Sequence, residues 1–353
     1  MSAKTFSKTP NVSIVMPIRN EAGSIAACLE AVLDQDYPSA DLEILIADGI
    51  STDGTQEIVD RYRSKHTNIF LFDNPGRIVS TGLNTLIPET KGAIIARVDG
   101  HCRISQDYIS SSVRHLQSED VDGVGGSIIT IGETFTARVI AIAMSSPFGV
   151  GGSAFRTKED FTGLVDTVPF PVYKREIVWK SGLYDEELVR DQDDEYNYRL
   201  RALGAKILLA ADVNAEYYSR STLRSLFNQF FQYGFWKVRV LQKHPRQMMY
   251  RQFVPPLFVF ALLLTGALSL FSEYGRWLFL LVVGLYLTAN LAASILATAR
   301  SDWKHLILLP VAFSCLHLSF GTGFLVGLVR FWNRWGDRRG CVPEWENGSI
   351  RKE

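Results

Sequence analysis

From residue 253 to residue 329 the chain almost loses its charge. Residues 253–271 and 277–299 contain no Asp, Glu, Lys or Arg. Each is close to the ~20 residues with which a helix crosses ~30 Å of hydrocarbon. A third run, 306–329, is as long but is interrupted by Pro310, His317, Ser319, Gly321 and Gly323. One such run is also what a helix buried in a protein core looks like. Three in succession, with Trp277, Trp303 and Trp332 at their margins, read instead as membrane spans with interfacial aromatics. Arg300 and Lys304 place the loop before the third run in the cytoplasm. Three full crossings would then put Arg330, Arg334, Arg338 and Arg339 outside, against the positive-inside tendency. A third run that re-enters removes the conflict, because irregular backbone at that depth is tolerated where protein buries it. The sequence leaves spanning and re-entry both open.

Just upstream, residues 222–251 have a different character. Leu223, Leu226, Phe227, Phe230, Phe231 and Val238 recur at helical spacing among Arg224, Lys237, Arg239, Lys243 and Arg246. A basic, aromatic, amphipathic segment of this kind suits a helix lying in the bilayer interface. An ordinary domain helix is the alternative, and the position before the first run favours the interface. Over all 353 residues the formal net charge is zero, so nothing drives the chain toward nucleic acid. Cys28, Cys102, Cys315 and Cys341 show neither metal spacing nor a disulfide framework, which fits a reducing compartment. The first ten residues are polar and lack the apolar core of a signal peptide, so the soluble part is expected in the cytoplasm, on an inner membrane. The expected organisation is a catalytic domain over 1–220, an interfacial segment over 221–252, a membrane domain over 253–332 and a polar tail over 333–353.

In the soluble part, apolar runs at 12–16, 42–47, 69–72, 93–98 and 121–129 predict strands, and 24–33 and 55–62 carry helical periodicity. Strands alternating with helices predict an α/β domain with a mostly parallel sheet. Ligands bind such sheets outside the carboxyl ends of the strands. The polar residues just beyond each run, Arg19-Asn20-Glu21, Asp48 and Asp99-Gly100-His101, therefore line the expected crevice. Ser51-Thr52-Asp53-Gly54-Thr55 reads locally as a turn and helix cap. Asp99 and His101 are both metal-ligand types, and neither alone neutralises a divalent ion, which leaves room for phosphate oxygens. Asp191-Gln192-Asp193-Asp194-Glu195 opens a helix. The macrodipole favours acids in a first turn, but four in five residues exceed that need, and one poised carboxylate would serve as a general base. Residues 134–160, with Gly149, Gly151 and Gly152, are expected to be a flexible specificity loop that orders over a bound donor.

Taken in order, these segments resemble family 2 glycosyltransferases of the GT-A fold. The match runs through Met16-Pro17-Ile18-Arg19-Asn20-Glu21, Asp48 with residues 51–55, and Val98-Asp99-Gly100-His101. It continues through Tyr184-Asp185-Glu186, residues 191–199 and Gln232-Tyr233-Gly234-Phe235-Trp236. It is closest to succinoglycan-type exopolysaccharide transferases with C-terminal membrane spans, and it covers roughly residues 11–332. The resemblance implies that Pro17, Arg19 and Glu21 line a nucleotide pocket and that Asp48 contacts the base or ribose. It gives Asp99 the first place of an Asp-x-Asp metal motif, in which His101 replaces the second Asp, for Mg²⁺ or Mn²⁺. Asp193 falls at the family's catalytic Asp, with Asp194 as its competitor. Of the Gln-x-x-Arg-Trp motif of processive synthases only Gln232 and Trp236 survive, and they are expected on the acceptor side.

The implied function is inverting, metal-dependent transfer of a sugar from a nucleotide-diphosphate donor to a polyprenyl-diphosphate-linked acceptor in exopolysaccharide or surface-glycan synthesis. The expected partners are that donor, that lipid acceptor, the bilayer and a glycan-assembly complex. Three rival functions stand beside it: a polyprenyl-phosphate sugar synthase, a processive polysaccharide synthase, and a catalytically degenerate scaffold.

Overall fold

The computed structural model describes residues 11–158, 160–299, 301–346 and 349–351. Its first half is built as the apolar runs require. Strands β1 (Val12–Ile18) and β4 (Ile94–Arg97) are buried at every position, and β2 (Leu42–Asp48) at all but Glu43. Strands covered on both faces read as continuous β-branched runs rather than alternating ones. Between them come α1 (Ile25–Leu33), α2 (Thr55–Arg63), β3 (Ile69–Asp73) and α3 (Val79–Leu86). Strands β3, β2, β1 and β4 lie side by side, all parallel. Their register pairs Ile18 with Asp48 and Asp48 with Asp73, so the carboxyl ends come level along one edge.

Past β4 the chain continues through β5 (Cys102–Ile104), α4 (Tyr108–Ser118), β6 (Gly123–Ile131), α5 (Phe135–Ser145), α6 (Pro147–Val150), α7 (Ala154–Thr157) and β7 (Gly163–Leu164). Then follow β8 (Val172–Lys174), α8 (Arg175–Ser181), α9 (Gln192–Ala202) and β9 (Ile207–Tyr218). The sheet runs β3-β2-β1-β4-β8-β6-β9-β5, with β7 on β9. Strand β8 is antiparallel to both β4 and β6, and β9 is antiparallel to β5 and β7. The α/β class is the expected one, and the parallel half carries the expected crevice edge.

The described residues fall into two compact units. One holds 11–129, 160–217 and the segment from 340 onward, including the hairpin β10 (Glu344–Glu346) and β11 (Ser349–Arg351). The other holds Thr130–Lys158 and Tyr218–Arg339. In this second unit lie α10 (Leu223–Lys243), α11 (Val254–Ser269), α12 (Glu273–Thr298) and α13 (Leu309–Arg330). Three of its helices are long and apolar enough to cross a membrane: Tyr250–Ser269, Glu273–Thr298 and Leu309–Arg330.

Two expectations change here. Residues 134–160 are no uniform flexible loop. They open with α5, capped by the Thr134 hydroxyl accepting from the Ala137 amide, and Val139, Ile140, Ala143 and Met144 are buried. The glycines come only after an apolar helix whose burial fixes it. Arg224 of α10 and Arg246 just beyond it are exposed, but Lys237, Arg239 and Lys243 turn into the protein, with Arg239 fully buried. A guanidinium bound to protein acceptors gives nothing to lipid headgroups, so the helix is less basic outwardly than its sequence reads.

Candidate active site

The strand ends β1, β2 and β4 bring most of the expected residues onto one edge. Pro17 is buried in β1, while Arg19 lies exposed just past it and donates to the Arg77 carbonyl at 3.4 Å. Asn20 adopts a left-handed φ of 53°. This turns the loop so that its amide donates to the Ser51 hydroxyl at 2.8 Å and its side-chain oxygen accepts from the Thr52 amide at 2.9 Å. The Glu21 and Ala22 amides donate to Thr55 Oγ1 at 2.8 Å and Asp53 Oδ2 at 3.0 Å. The 51–55 turn therefore clamps the β1 loop as well as opening α2. Hydrogen bonds from Thr55 and Ala22 hold the exposed Asp53 carboxyl below its ordinary range.

Asp48 is wholly buried at the end of β2. Its carboxylate accepts from the Ser51 amide at 2.9 Å, the Ser51 hydroxyl at 2.5 Å and Gln56 Nε2 at 2.6 Å. As it stands, Asp48 braces the turn, and with no exposed surface it meets a base or ribose only where the turn opens.

At the end of β4 stand Arg97, Asp99 and His101. The Arg97 side chain is only 5% exposed and forks onto Asp99, Nε to Oδ1 at 2.9 Å and Nη2 to Oδ2 at 3.2 Å. Its third nitrogen, Nη1, donates to Asp193 Oδ1. One guanidinium thus joins the residue expected on the metal to the residue expected as base. Burial works against that charge, and the Asp99 carboxylate overrides burial and raises the pKa. Burial pushes the Tyr184 phenol up to about 12, so it stays neutral beside Arg97. Sequence reasoning passed over Arg97, although an arginine closing the apolar run Ile94-Ile95-Ala96 is its own signal: a charge delivered into a core needs a partner.

His101 Nδ1 lies 2.9 Å from Glu21 Oε1, and Glu21 Oε2 accepts from the Ser24 hydroxyl at 2.9 Å. Gly100 makes this meeting feasible. A Cβ there would stand 2.9 Å from Ile18 Cγ2 and 3.2 Å from Glu21 Cγ, displacing the carboxylate from the imidazole. A carboxylate on one ring nitrogen fixes the tautomer that leaves the other as a ligand, as around metal-bound histidines. Among the described residues no three His, Cys, Asp or Glu side chains converge to hold a metal ion. Asp99 and His101, both partly open to solvent, offer one oxygen and one nitrogen donor. That set fits a cation whose remaining positions are filled by phosphate and water.

Helix α9 sorts its acids into different jobs. Asp191, at a left-handed φ of 59°, is the N-cap residue. Glu195 is 3% exposed and pairs with Arg199 at 2.9 Å inside the unit. Asp193 bonds to Arg97, and its carbonyl accepts from Asn197 Nδ2 at 2.9 Å, while Tyr173 donates to Asn197 Oδ1 at 2.6 Å. Asp194 is partly exposed on the same turn. Below, Tyr184 stacks on Tyr196 at 4.0 Å between centroids, and Asn84 clamps Tyr184 through both its backbone groups. Gln232 and Trp236 belong to the second unit, where Trp236 Nε1 donates to Gln232 Oε1 at 3.2 Å.

Residues 13–182 match the family model described as glycosyl transferase family 2. Over those residues the chain carries a family 2 glycosyltransferase domain. The transferase is 29% identical over 340 residues to the succinoglycan biosynthesis protein ExoA of Rhizobium meliloti, covering 95% of this chain and 99% of that one. It is 28% identical over 330 residues to a dolichyl N-acetyl-α-D-glucosaminyl phosphate 3-β-D-2,3-diacetamido-2,3-dideoxy-β-D-glucuronosyltransferase of Methanococcus voltae, covering 90% and 97%. Its fold is that of a mannosyltransferase, PcManGT, from Pyrobaculum calidifontis, solved with GDP-Man and Mn²⁺: the TM-score is 0.58 at 17% identity, over 91% of this chain and 88% of that one.

Proposed function

We propose that the transferase moves a sugar from a nucleotide-diphosphate donor to a hydroxyl of a polyprenyl-diphosphate-linked sugar, with inversion at the anomeric carbon, in the synthesis of an exopolysaccharide or surface glycan. The observation that carries this reading is the Asp99–Arg97–Asp193 bridge, which supports a donor-diphosphate site and a proton acceptor served by one buried cation. Asp99 and His101 are the residues that would hold a divalent ion, Mg²⁺ or Mn²⁺, and such an ion supplies neutralisation of the charge that builds on the departing nucleoside diphosphate. Arg19, Glu21 and the 48–55 turn shape the nucleotide side, with Pro17 beneath them. Asp193 takes the acceptor's hydroxyl proton as the oxygen attacks from the face opposite the leaving group. Gln232 and Trp236 serve the acceptor side.

A lipid-borne acceptor accounts for the membrane helices, because confinement to the same surface raises its effective concentration. The relatives support the acceptor class: the Methanococcus protein's name specifies a dolichyl-linked sugar phosphate, and ExoA is a succinoglycan biosynthesis protein. The catalytic unit faces the cytoplasm, where nucleotide sugars are made. The test is a transfer screen in lipid nanodiscs with UDP-, GDP- and dTDP-sugars, each metal, and either a polyprenyl-diphosphate sugar or a bare polyprenyl phosphate. The expected product is a single sugar added to the glycan, with anomeric configuration opposite to the donor's by NMR. Transfer onto the bare lipid phosphate, or long polymer from donor alone, would overturn this reading.

A further inference from the structure

We infer that the membrane is crossed twice, by the α11–α12 hairpin, and that α13 lies with α10 as an in-plane helix pair, returning the chain's end to the catalytic side. The inference deepens the membrane reading above and rests on it.

Helices α10 and α13 run parallel and in step. Cys315 Sγ donates to the Leu223 carbonyl, 92 residues apart, and Gln242 Nε2 donates to the Phe331 carbonyl, 89 residues apart. A nearly constant separation over the whole of α10 means that each turn of α13 sits beside a turn of α10. Glycines let the backbones touch. A Cβ on Gly327 would stand 2.6 Å from the Phe235 carbonyl, and one on Gly234 or Gly323 would overlap the Phe320 or Phe231 carbonyl. Gly323 and Gly327 form the small-xxx-small spacing that permits such approach.

Helix α10 cannot cross a bilayer. Within 21 residues it holds Arg224, Lys237, Arg239 and Lys243, besides Asn228, Gln229, Gln232 and Gln242, where a span needs ~20 predominantly apolar residues. A helix locked beside it turn for turn shares its depth, so α13 does not cross either. The apolarity of α13 has another cause. Leu309, Ala312, Phe313, Leu316 and Phe324 are buried against protein, and 44% of its apolar window is covered, against 17% and 11% for the other two long helices. Phe148 of α6 packs on Phe313 at 5.0 Å and accepts from His317 Nε2 at 2.8 Å.

The hairpin behaves differently. Phe258 of α11 stacks on Tyr286 of α12 at 4.2 Å, so the two helices pair with each other. Their outer faces leave Leu257, Leu263, Leu280, Leu285 and Leu296 more than half exposed, the surface a bilayer covers. After α13 the chain is held at the end of α10, where Arg239 Nη2 lies 3.3 Å from Asp337 Oδ2. The following residues belong to the catalytic unit: the Cys341 amide donates to buried Asp185 at 2.8 Å, and the Glu186 amide donates to the Cys341 carbonyl at 2.9 Å. An even number of crossings is the arrangement that lets both ends of the second unit join the first. It also places Arg330, Arg334, Arg338 and Arg339 on the cytoplasmic side, which the positive-inside tendency asks for.

The test is accessibility mapping in sealed vesicles of both orientations. In a chain with its four cysteines replaced, single cysteines are placed by Gly23→Cys in the catalytic unit, Phe271→Cys at the hairpin tip and Gly336→Cys after α13. A Cβ at Gly23 or Gly336 meets nothing within 4 Å, and Phe271 is 86% exposed. A membrane-impermeant maleimide is expected to label Gly336→Cys in the same vesicles as Gly23→Cys, and Phe271→Cys only in the opposite set. Labelling of Gly336→Cys with Phe271→Cys would show that α13 spans and overturn the inference. Labelling of all three positions in both orientations would overturn the membrane reading itself. Protease protection of a C-terminal tag on the otherwise native chain gives the same answer if the cysteine-free chain folds poorly. Loss of the tag from the catalytic side is expected, and protection there would refute the assignment.

Discussion

Arg97 offers the sharpest perturbation of the catalytic unit. Its guanidinium gives two bonds to Asp99, which is 21% exposed, and one to Asp193, which is 38% exposed. Breaking a buried ion pair costs ~3–5 kcal/mol because the surviving charge is stranded. Solvent at Asp99 brings the expected cost of Arg97→Met down to about 2–3 kcal/mol, and screening leaves the Asp193 contact worth at most ~1 kcal/mol of stability. The more telling change is Arg97→Lys. An ammonium keeps the charge but lacks the planar fork, so it cannot serve both carboxylates at once. Folding should survive, while Asp193 loses the contact that fixes its position. The expected result is a kcat lowered by ~10–100-fold, or about 1.4–2.8 kcal/mol of barrier, with the donor KM changed by less than about threefold. Steady-state transfer with both substrates varied, alongside thermal unfolding, measures both quantities. A lysine variant with wild-type kcat, or one whose whole defect lies in the donor KM, would refute the bridge as a positioning device.

Other outcomes follow from the same contacts. Gly234→Ala, whose methyl would overlap the Phe320 carbonyl, should cost about 2–3 kcal/mol by overpacking, whereas Gly284→Ala, with nothing within 4 Å, should leave the Tm in detergent unchanged. His115 lies 2.6 Å from Glu119 and 2.8 Å from Asp212. Burial opposes its protonation, but the two carboxylates outweigh burial and raise its pKa. A raised folded-state pKa stabilises fully below the unfolded value of ~6.5 and fades as pH climbs through the folded one. His115→Gln should therefore cost about 1 kcal/mol near pH 5.5 and much less near pH 8.5, as denaturant titrations at the two pH values would show. Asp99→Ala should abolish Mn²⁺ binding measured by electron paramagnetic resonance in the presence of donor nucleotide, and unchanged binding would remove Asp99 from the metal site.

What the sequence revealed followed its strongest local signals. Strands β1, β2 and β4 were legible because burial on both faces demands unbroken β-branched runs, and α9 because its acids mark a helix start. The Thr134-capped α5 was missed, although its apolar run Val139-Ile140-Ala141-Ile142-Ala143-Met144 precedes the glycines. The long antiparallel β9 was missed although Asp212-Val213-Asn214-Ala215-Glu216-Tyr217 alternates polar and apolar residues, and Val213, Ala215 and Tyr217 are the buried ones. At the site, residue types named the candidates, but only the fold could separate them. Glu195 turned out to be committed to Arg199, Asp48 to Ser51 and Gln56, and Asp193 to an arginine that periodicity had filed as part of a strand. Hydropathy does not separate a helix buried in protein from one in lipid, because the two share a composition; the in-plane assignment proposed for α13 rests instead on its contacts with α10.

The central claim is that Asp193 is the base of a sugar transfer to an acceptor hydroxyl. Its most direct test compares Asp193→Asn with Asp194→Asn in single-turnover transfer, with donor binding followed by calorimetry. The account predicts that Asp193→Asn keeps donor affinity and loses ~10²–10⁴-fold in transfer rate, while Asp194→Asn stays within about tenfold of wild type. Undiminished transfer by Asp193→Asn would contradict it and point to an acceptor that needs no base, such as a lipid phosphate.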